Sequence, residues 1–521
     1  MIETAVASLV LLACAPALAR WLRVAQREQY YGGAVVRFTA RWWSSTPFDL
    51  TLGAIAIAGA LAALLVPLAA LASAVVVAVA PVGLSVRGRT SSLIWTRRMK
   101  VLGVASIAID AIFVAGAAAV AIALPAPTVL PAAAALIALA QPLVVELALL
   151  ATSPLERRRS DGFVAQASAR LRQTDPTIVA ITGSYGKTTT KLYVRHLLGT
   201  SRRVLASPAS FNNTGGLART VNEQLVPGTE VFVAEMGAYG PGEIAELCRW
   251  IPPDIAVITA IGPVHLERMR TLDTVLGAKS EILVPAKVAV LNVDAYGLSD
   301  VADRAETAGK RVIRCSATDP TAQVRASLEG GGRAHDEQEL VVCVAGREIA
   351  RVAGSQAHPG NVACAVGVAV ALDAPLDEVA TQLGSLPVAE HRGRLATTQK
   401  GVTVIDDTYN ANPAGAAAAL RLLARAAPDG RRVLVTPGMI ELGPLQHEEN
   451  ARFARAAATE VATDLVIVSR TNRAALLEGA RGGAAQVRVV ARREQAVEWV
   501  RATLGAGDAV LYENDLPDHY P

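Results

Sequence analysis

The residues best suited to chemistry lie in the segment IVAITGSYGKTTTK, which covers positions 178 to 191. An apolar run leads into a turn with Gly183 and Gly186, and a helix-compatible stretch follows from Lys187. A strand that feeds a tight turn and a helix N-terminus presents backbone N–H groups and the positive end of the helix dipole to phosphates. Lys187 can reach terminal phosphates, and the Thr188 hydroxyl can ligate magnesium. The segment predicts a nucleoside triphosphate site made of Gly183, Ser184, Tyr185, Gly186, Lys187, Thr188 and Thr189.

The turn is shorter than the common P-loop, so an ordinary glycine-rich turn between a strand and a helix is the alternative interpretation. The segments around it alternate between apolar runs and helix-compatible stretches after Arg159. This alternation predicts an α/β fold of two doubly wound units. The predicted strands are 177–181, 231–234, 255–259 and 288–291 in the first unit, and 402–405, 433–435, 465–468, 487–490 and 509–511 in the second.

Polar residues follow the carboxyl ends of several of these strands, where open α/β sheets bind ligands. Glu235, His265 and Asn292 follow the second, third and fourth strands of the first unit, and Asp407 follows the first strand of the second unit. Taken singly, Glu235 would be a surface carboxylate and His265 a loop histidine. As a set at the sheet edges, they predict a ligand-binding site.

The composition indicates a membrane protein with a catalytic part. Of the 521 residues, 52% are hydrophobic and 18% charged, and the mean hydropathy of +0.35 is too high for a wholly soluble enzyme. The net charge is +4, but the basic residues flank apolar segments, so membrane topology explains them better than nucleic-acid binding. The 5 cysteines lack C-x-x-C spacing, which argues against a zinc site or a disulfide framework and indicates a reducing compartment.

The apolar segments before Thr152 predict about five membrane-spanning helices. The arginine and lysine clusters fall on one side of the membrane only if the stretch around Pro67 crosses twice. We therefore expect a multi-pass protein of the inner or plasma membrane whose catalytic domains are cytoplasmic. Asp110 and Glu146 lie inside the last two segments, where they are either functional or packed against other helices. The predicted spans are Val6 to Leu18, Thr51 to Leu65, Leu68 to Leu84, Val101 to Leu124, and Val129 to Ala151.

Ordered motifs extend from about Thr177 to Gly443: TGSYGKTTTK, FNNTGG, EMGAYGPGEIAELC, IGPVHLERMRTLDTVLGAKSEI, LNVD, GRL and DDTYNANP. They resemble the Mur ligase family, the ATP-dependent amide ligases of peptidoglycan precursor synthesis, and most closely its D-alanyl-D-alanine-adding member. The resemblance implies a P-loop central ATP-binding domain over 156–386 and a doubly wound, Rossmann-like C-terminal domain over 387–521. The α-helical membrane domain would then cover 1–155.

The resemblance also implies roles for individual residues. In the family, ATP phosphorylates a carboxylate and an amine attacks the acyl phosphate. Lys187 would hold terminal phosphates, Thr188 and Glu235 one magnesium ion, and His265 with Lys279 a second. Lys279 would be carbamylated, because a bare lysine lacks the oxygen ligands that magnesium prefers. The other matched positions are Asn212 and Asn213 near the phosphate and acyl site, and Asn292, Asn361, Arg394 and Asp407 around the nucleotide.

Departures from the family pattern concern the substrates. The membrane domain stands where the family has a soluble domain that binds uridine diphosphate. The segment HPGNVACAVG keeps Asn361 but has Cys364 in place of a second asparagine. The C-terminal segment LYENDLPDHYP differs from the basic, serine-containing loop of the relative that adds D-alanyl-D-alanine. These differences leave the amino substrate open.

We therefore expect a membrane-anchored, ATP-dependent carbon–nitrogen ligase of cell-wall or related envelope polymer synthesis. Its acceptor would be lipid-linked or polymeric and its amine an amino acid or dipeptide. Expected partners are the lipid bilayer and envelope-synthesis proteins, and no nucleic acid. Alternative functions are the ligase-like subunit of a glutamine-dependent amidotransferase, a poly-γ-glutamate-type synthetase, and a membrane scaffold that binds ATP without forming a bond.

Overall fold

The computed structural model describes residues 2–44, 46–81, 84, 86, 92–124, 126–208, 211–330, 338–355, 357–388, 394–408 and 411–516. The chain forms two compact units, one that extends to Ser160 and one that comprises Asp161–Asp515. The helices of the first unit are α1 (Ile2–Arg27), α2 (Ala34–Trp43), α3 (Pro47–Ala62), α4 (Ala70–Val79), α5 (Arg97–Ala123), α6 (Val129–Leu139) and α7 (Gln141–Thr174), the last of which continues past Ser160.

Small residues let the helices of the first unit pack closely. Gly59 of α3 lies against the segment before α4, because a Cβ at Gly59 would be 2.9 Å from the carbonyl oxygen of Ala69. The core shared by α1, α4 and α6 consists largely of alanine, with Val6, Val10 and Val77 among them. Close backbone approach of this kind is typical of helices that associate in a membrane.

Among the residues with described positions, α1 and α5 are individually long and apolar enough to cross a membrane. The number rises to at most 4 if two bent pairs, α2 with α3 and α6 with α7, each form one span. The prediction of about five spans is therefore not supported. The predicted span Leu68–Leu84 contains α4, whose 10 residues cover only about half of a hydrocarbon core of roughly 30 Å. The predicted span Val129–Ala151 bends by 69°, because Pro142 cannot donate the hydrogen bond that would continue α6.

The carboxylates of this unit have polar partners on neighbouring segments. The Gln141 amide donates to both carboxylate oxygens of Asp110, at 3.0 and 3.1 Å. The Gly33 backbone N–H donates to Glu146. Since a polar group in apolar surroundings needs such a partner, these contacts favour the packing interpretation of Asp110 and Glu146.

The larger sheet of the second unit contains β1 (Thr177–Thr182), β2 (Val204–Ala206), β3 (Val231–Glu235), β4 (Ile255–Ile258), β5 (Val288–Asn292), β6 (Arg311–Ser316), β7 (Val324–Glu329), β8 (Glu339–Val344) and β9 (Arg347–Ala353). Its 9 strands have the order β2-β3-β1-β4-β5-β6-β7-β8-β9. Neighbours are parallel from β2 to β7, and β8 and β9 pair antiparallel.

Helices cover both faces of this sheet. They are α8 (Lys187–Leu198), α9 (Thr214–Gln224), α10 (Glu243–Trp250), α11 (Leu266–Met269), α12 (Leu272–Ser280), α13 (Leu298–Thr307), α14 (Pro359–Ala371) and α15 (Leu376–Leu383). Successive residues of β1 enter different cores: Ile178 and Ala180 face one, and Val179 and Ile181 face the other. A strand that is buried on both faces has a continuous apolar sequence, and residues 178 to 181 of β1 are all apolar.

The smaller sheet contains β10 (Arg394–Thr397), β11 (Thr403–Asp407), β12 (Arg432–Thr436), β13 (Asp464–Val468), β14 (Gln486–Val490) and β15 (Ala509–Glu513), with α16 (Pro413–Ala426), α17 (Gln446–Ala456), α18 (Arg473–Ala480) and α19 (Arg493–Thr503). Its order is β10-β11-β15-β12-β13-β14. Only β10 is antiparallel to its neighbour among these strands. Each predicted strand coincides with an observed one to within about two residues at either end. The predicted class, two α/β units after a helical region, is confirmed.

Candidate active site

The turn between β1 and α8 has the backbone geometry that phosphate binding requires. Gly183 and Gly186 have φ values of 147° and 81°, which side-chain-bearing residues rarely adopt. A Cβ at Gly183 would lie 2.2 Å from the hydroxyl oxygen of Thr259. Lys187 begins α8, and its Nζ donates to the carbonyl oxygen of Gly183 at 2.8 Å. The lysine ammonium thus lies against the turn that would hold the phosphates.

The remaining turn residues are tied to the segment after β4. Ser184 Oγ accepts a hydrogen bond from the Gly262 N–H at 3.0 Å. The carbonyl oxygen of Tyr185 accepts one from Thr259 Oγ1 at 2.5 Å. The Tyr185 hydroxyl also fills the space beside Gly262, where a Cβ would lie 1.2 Å from it. The segment after β4 therefore fixes the conformation of the turn.

Glu235 is the centre of a buried polar cluster at the carboxyl end of β3. Its side chain is 2% exposed. Oε2 accepts hydrogen bonds from Thr188 Oγ1 at 3.0 Å and from Lys191 Nζ at 2.9 Å, and Oε1 accepts one from Asn212 Nδ2 at 3.4 Å. The structure thus brings together the predicted residues Thr188, Asn212 and Glu235. Lys191 is a fourth member that the sequence analysis missed.

Lys191 keeps the buried Glu235 ionised. Burial by itself raises the pKa of Glu235, but the ammonium groups of Lys191 and Lys187 and the hydrogen bonds from Lys191 and Thr188 outweigh it, so the pKa lies below its ordinary value. The sequence offers one signal for Lys191. It lies four residues after Lys187, and residues four apart lie on the same face of a helix. Glu235 is therefore an anion at neutral pH.

Lys279 lies on α12, and it is one of the largest fully buried side chains among the described residues. Its Nζ donates to the carbonyl oxygen of Ala238 at 3.2 Å. Burial, helped by the charge of Lys187 and opposed by Glu243 and Glu281, lowers the pKa of Lys279 to about 7. A substantial fraction of the amine is therefore neutral at physiological pH, and the neutral form is the nucleophilic one.

His265 precedes α11 in a left-handed conformation with φ of 54°. Its Nδ1 lies 2.5 Å from Glu441 Oε2, and its ring centre lies 4.5 Å from that of Tyr239. His265 and Lys279 therefore contact consecutive residues of the loop after β3, Tyr239 and Ala238. The predicted second metal pair flanks one short loop.

A cavity of about 660 Å³ has Thr189, Asn361 and Arg394 in its lining. These are three of the residues predicted to contact the nucleotide, and the volume is in the usual range for small-molecule sites. Asn361 also lies beside the phosphate turn, because a Cβ at Gly186 would be 2.2 Å from Asn361 Oδ1. Asn361 thus lines the cavity and also packs against the turn, so both belong to the candidate nucleotide site.

Three other predicted residues, Asn292, Asn213 and Asp407, do not line the cavity. Asn292 Nδ2 donates to the carbonyl oxygen of Thr259 at 2.8 Å, behind the turn. Asn213 is the N-cap of α9, where its side chain accepts from the Gly216 N–H at 2.9 Å. Asp407 ends β11 in register with Glu513 and is not among the residues that line the cavity.

Two oxygen atoms beside the phosphate turn suit magnesium. Over the described parts of the chain, no group of three or more His, Cys, Asp or Glu residues is arranged to hold a metal ion. Magnesium commonly takes one or two protein oxygens and completes its shell with water and nucleotide phosphates. The Thr188 hydroxyl and the Glu235 carboxylate are such oxygens, 3.0 Å apart. They fit a magnesium ion that is bound together with a nucleotide.

Comparison with known proteins agrees with this geometry. Residues 181–355 match the family model of the Mur ligase middle domain, and residues 391–512 match that of the Mur ligase, glutamate ligase domain. UDP-N-acetylmuramoyl-tripeptide–D-alanyl-D-alanine ligase from Mycobacterium leprae is 32% identical over 365 residues, which cover 64% of this chain and 70% of the relative. The protein of that name from Mycobacterium tuberculosis (strain ATCC 25618 / H37Rv) is 36% identical over 368 residues, which cover 64% and 69%.

A crystal structure of MurF ligase from Thermotoga maritima in complex with ADP shares the fold, with a TM-score of 0.59 and 24% identity over 68% of this chain and 80% of that one. The matched family models and the similar ligases identify this chain as an ATP-dependent ligase that forms amide bonds. The chain belongs to the Mur ligase family, whose members use ATP and Mg²⁺. The predicted resemblance is confirmed.

Lys191→Ala is expected to destabilise the protein by about 3–5 kcal/mol, because it leaves the buried Glu235 without its nearest counter-charge. Urea unfolding of the full-length chain in detergent measures this. The control is Arg219→Ala, which breaks the Arg219–Glu223 pair whose side chains are 58% and 52% exposed and should cost at most about 1 kcal/mol. Adding Glu235→Gln to Lys191→Ala should recover part of the loss. An equal loss of unfolding free energy for Lys191→Ala and Arg219→Ala would contradict this role of Lys191.

A second buried carboxylate, Glu513, lies at the carboxyl end of β15. It is 0% exposed. Its Oε2 accepts from the Thr436 hydroxyl at 2.5 Å, while Oε1 has no hydrogen-bond partner among the described atoms. Burial, opposed by the Thr436 bond and reinforced by Asp407, raises the pKa of Glu513 to about 8. Glu513 is therefore mostly protonated at neutral pH.

Glu513→Gln is expected to stabilise the protein increasingly as the pH rises from 4.5 to about 8. In this window the folded wild type holds a proton that the unfolded chain has released, so its free energy of unfolding falls as the pH rises. Glutamine has a similar shape and no proton to release. The difference should reach the order of a few kcal/mol near the upper limit. Urea unfolding of both proteins across the window is the measurement, and a difference that does not change with pH would contradict it.

Proposed function

We propose that this chain is a membrane-anchored ligase that activates a carboxylate with ATP and joins it to an amine during synthesis of the cell wall or a related envelope polymer. The observation that carries the proposal is the buried Glu235 cluster, in which Thr188 and Lys191 meet the carboxylate at 3.0 and 2.9 Å beside the phosphate turn. Phosphoryl transfer depends mainly on positioning and on charge stabilisation, and this cluster supplies both.

Each residue has a task in this proposal. Lys187 would hold the terminal phosphates, and Thr188 with Glu235 would hold a magnesium ion. A bound magnesium ion would neutralise charge on the transferring phosphoryl group. Asn212, which contacts Glu235, would orient the acyl group. The base and ribose would occupy the cavity lined by Thr189, Asn361 and Arg394, while Asn213, Asn292 and Asp407 stay predicted contacts of the acyl group or the nucleotide.

The proposed acceptor is lipid-linked or polymeric. The family matches begin at residue 181, and the preceding unit includes the apolar helices α1 and α5, each long enough to span a bilayer. An enzyme confined to a membrane surface meets a lipid-linked carboxylate at a raised effective concentration. The similar ligases are named for D-alanyl-D-alanine, so an amino acid or a dipeptide is the proposed amine. Other envelope-synthesis proteins are proposed as partners.

The test uses the full-length chain in lipid nanodiscs with ATP, magnesium and a panel of amino acids and dipeptides. Lipid-linked peptide carboxylates should give an amide product and release ADP, and soluble uridine-linked peptides should give much less. Lys187→Ala should lower product formation by at least about 100-fold, because it removes a charge that stabilises the transferring phosphoryl group. Lys287→Ala, at a side chain that is 82% exposed, is the control.

Two results would contradict the proposal. Equal use of the uridine-linked acceptor would exclude the lipid-linked acceptor while leaving the ligase reaction intact. Unchanged product formation by Lys187→Ala would exclude the assigned phosphate site. ADP release without any amide product would instead favour an ATP-binding scaffold with residual hydrolysis.

Carbamylation of Lys279 is proposed as the source of oxygen ligands for a second magnesium ion near His265. Its lowered pKa of about 7 supports the proposal, because carbon dioxide reacts with the neutral amine. In ¹³C-bicarbonate, NMR should show a carbamate carbon signal for the wild type that is absent in Lys279→Ala and present in Lys287→Ala. The signal should weaken as the pH falls below 7 and the amine becomes protonated. A wild type without the signal would contradict the proposal.

A further inference from the structure

The loop after β12 contacts His265 through both a side chain and the backbone. Glu441 Oε2 lies 2.5 Å from His265 Nδ1, and the carbonyl oxygen of Glu441 accepts from the Leu266 N–H at 3.0 Å. Gly443 packs at the same place, because a Cβ there would lie 3.1 Å from the carbonyl carbon of Leu266. The smaller sheet thus contributes a carboxylate to a histidine that follows β4 of the larger sheet.

The His265 ring is also held from the side of the larger sheet. Its centre lies 4.5 Å from that of Tyr239, and the Arg268 guanidinium lies 5.2 Å from the Tyr239 ring centre. His265 and Glu441 both have positive φ, 54° and 63°. Non-glycine residues keep such backbone conformations only where the surrounding structure determines them. The histidine and its carboxylate partner are therefore placed, backbone and side chain, by contacts from two sheets.

We propose that Glu441 is a positioning residue that completes the second magnesium site from the C-terminal half of the ligase. Glu441 fixes the His265 ring so that Nε2 is the nitrogen offered to the metal, and it does so only while the two halves are packed together. This inference rests on the proposed function, in which His265 is a ligand of the second magnesium ion.

The chemistry of imidazole supports this role. When Nδ1 carries the proton and donates it to a carboxylate, the lone pair available to a metal is on Nε2. Metal-binding histidines usually donate their other N–H to a carboxylate or carbonyl oxygen, which fixes the tautomer and the orientation of the ring. His265 has such a carboxylate in Glu441. Because that carboxylate belongs to the C-terminal half, the metal affinity of His265 would depend on closure of the two halves.

If the His265–Glu441 contact served only to hold the larger and smaller sheets together, its removal would not change metal binding. The chain contains a matched pair for comparison, since His447 Nε2 lies 2.9 Å from Glu478 Oε2 and the two side chains are 60% and 53% exposed. The side chains of His265 and Glu441 are 21% and 36% exposed. Glu478→Ala therefore removes a histidine–glutamate contact without changing the loop that holds Glu441.

The test measures metal binding directly. Electron paramagnetic resonance follows Mn²⁺ titrated into the full-length chain in detergent, with a non-hydrolysable ATP analogue at saturation. Glu441→Ala should weaken one of the manganese sites by about 10- to 100-fold and leave the other unchanged. Glu441→Gln keeps an oxygen acceptor for the Nδ1–H and should lose less. Glu478→Ala should bind as the wild type does.

Steady-state assays give a second measurement. Glu441→Ala should raise the magnesium concentration for half-maximal rate, while the KM for ATP at saturating magnesium stays unchanged. A contact that serves only to hold the halves together would lower the melting temperature without separating the manganese sites. Glu441→Gln retains the shape of the side chain, so it tests the proposal even if Glu441→Ala unfolds.

His265→Ala separates failure of this inference from failure of the proposed function. If His265→Ala weakens one manganese site and neither Glu441 variant does, the positioning role of Glu441 is wrong and the second metal site stands. If His265→Ala leaves both sites unchanged, His265 is not a ligand, and both the second metal site and the role of Glu441 are wrong.

Discussion

The ion pair between Lys191 and Glu235 is the interaction on which the geometry of the active site depends. Both side chains are almost fully withdrawn from water, at 1% and 2% exposure, and burial of either charge alone would be strongly unfavourable. The carboxylate ends a central strand, β3, and the ammonium lies on the helix that begins at the phosphate turn. The pair therefore fixes the turn relative to the sheet, and with it the distance between Thr188 and the carboxylate.

The contact between His265 and Glu441 performs a similar task between the two sheets. Each sheet presents polar residues at the carboxyl ends of its strands, and a reaction that combines two substrates needs groups from both. Parallel strands favour this arrangement, because their carboxyl ends lie at one edge of the sheet while helices cover both of its faces. His265 and Glu441 both have positive φ, and they lie where the loop after β4 of the larger sheet meets the loop after β12 of the smaller one.

Much of this fold could be predicted because doubly covered parallel strands give continuous apolar runs, as at Ile178 to Ile181. The phosphate turn and Glu235 were predictable for the same reason, since they follow such runs directly. Lys191 was missed because a lysine on a helix usually lies in water, and only the tertiary structure shows that it faces Glu235. Asn213 caps a helix. Asparagine is a common N-cap residue, but the residue type alone does not show which asparagine has this role. The spans were overcounted because hydropathy registers apolar composition and is insensitive to where a helix ends: α4 has only 10 residues, and α6 and α7 are separated by a bend of 69°.

The glycines of the phosphate turn have a consequence for the entropy of nucleotide binding. The positions where Cβ atoms of Gly183 and Gly186 would lie are taken by Thr259 and Asn361, and Tyr185 of the turn takes the corresponding position at Gly262. The turn is therefore packed against two other segments, the loop after β4 and α14, before any phosphate arrives, and its backbone has little freedom left to lose. A ligand that enters a rigid cradle gives up mainly its own motion, so more of the contact energy appears as affinity. Weak, exchangeable nucleotide binding would then have to come from the cavity away from the turn, which the exposed Arg394 lines.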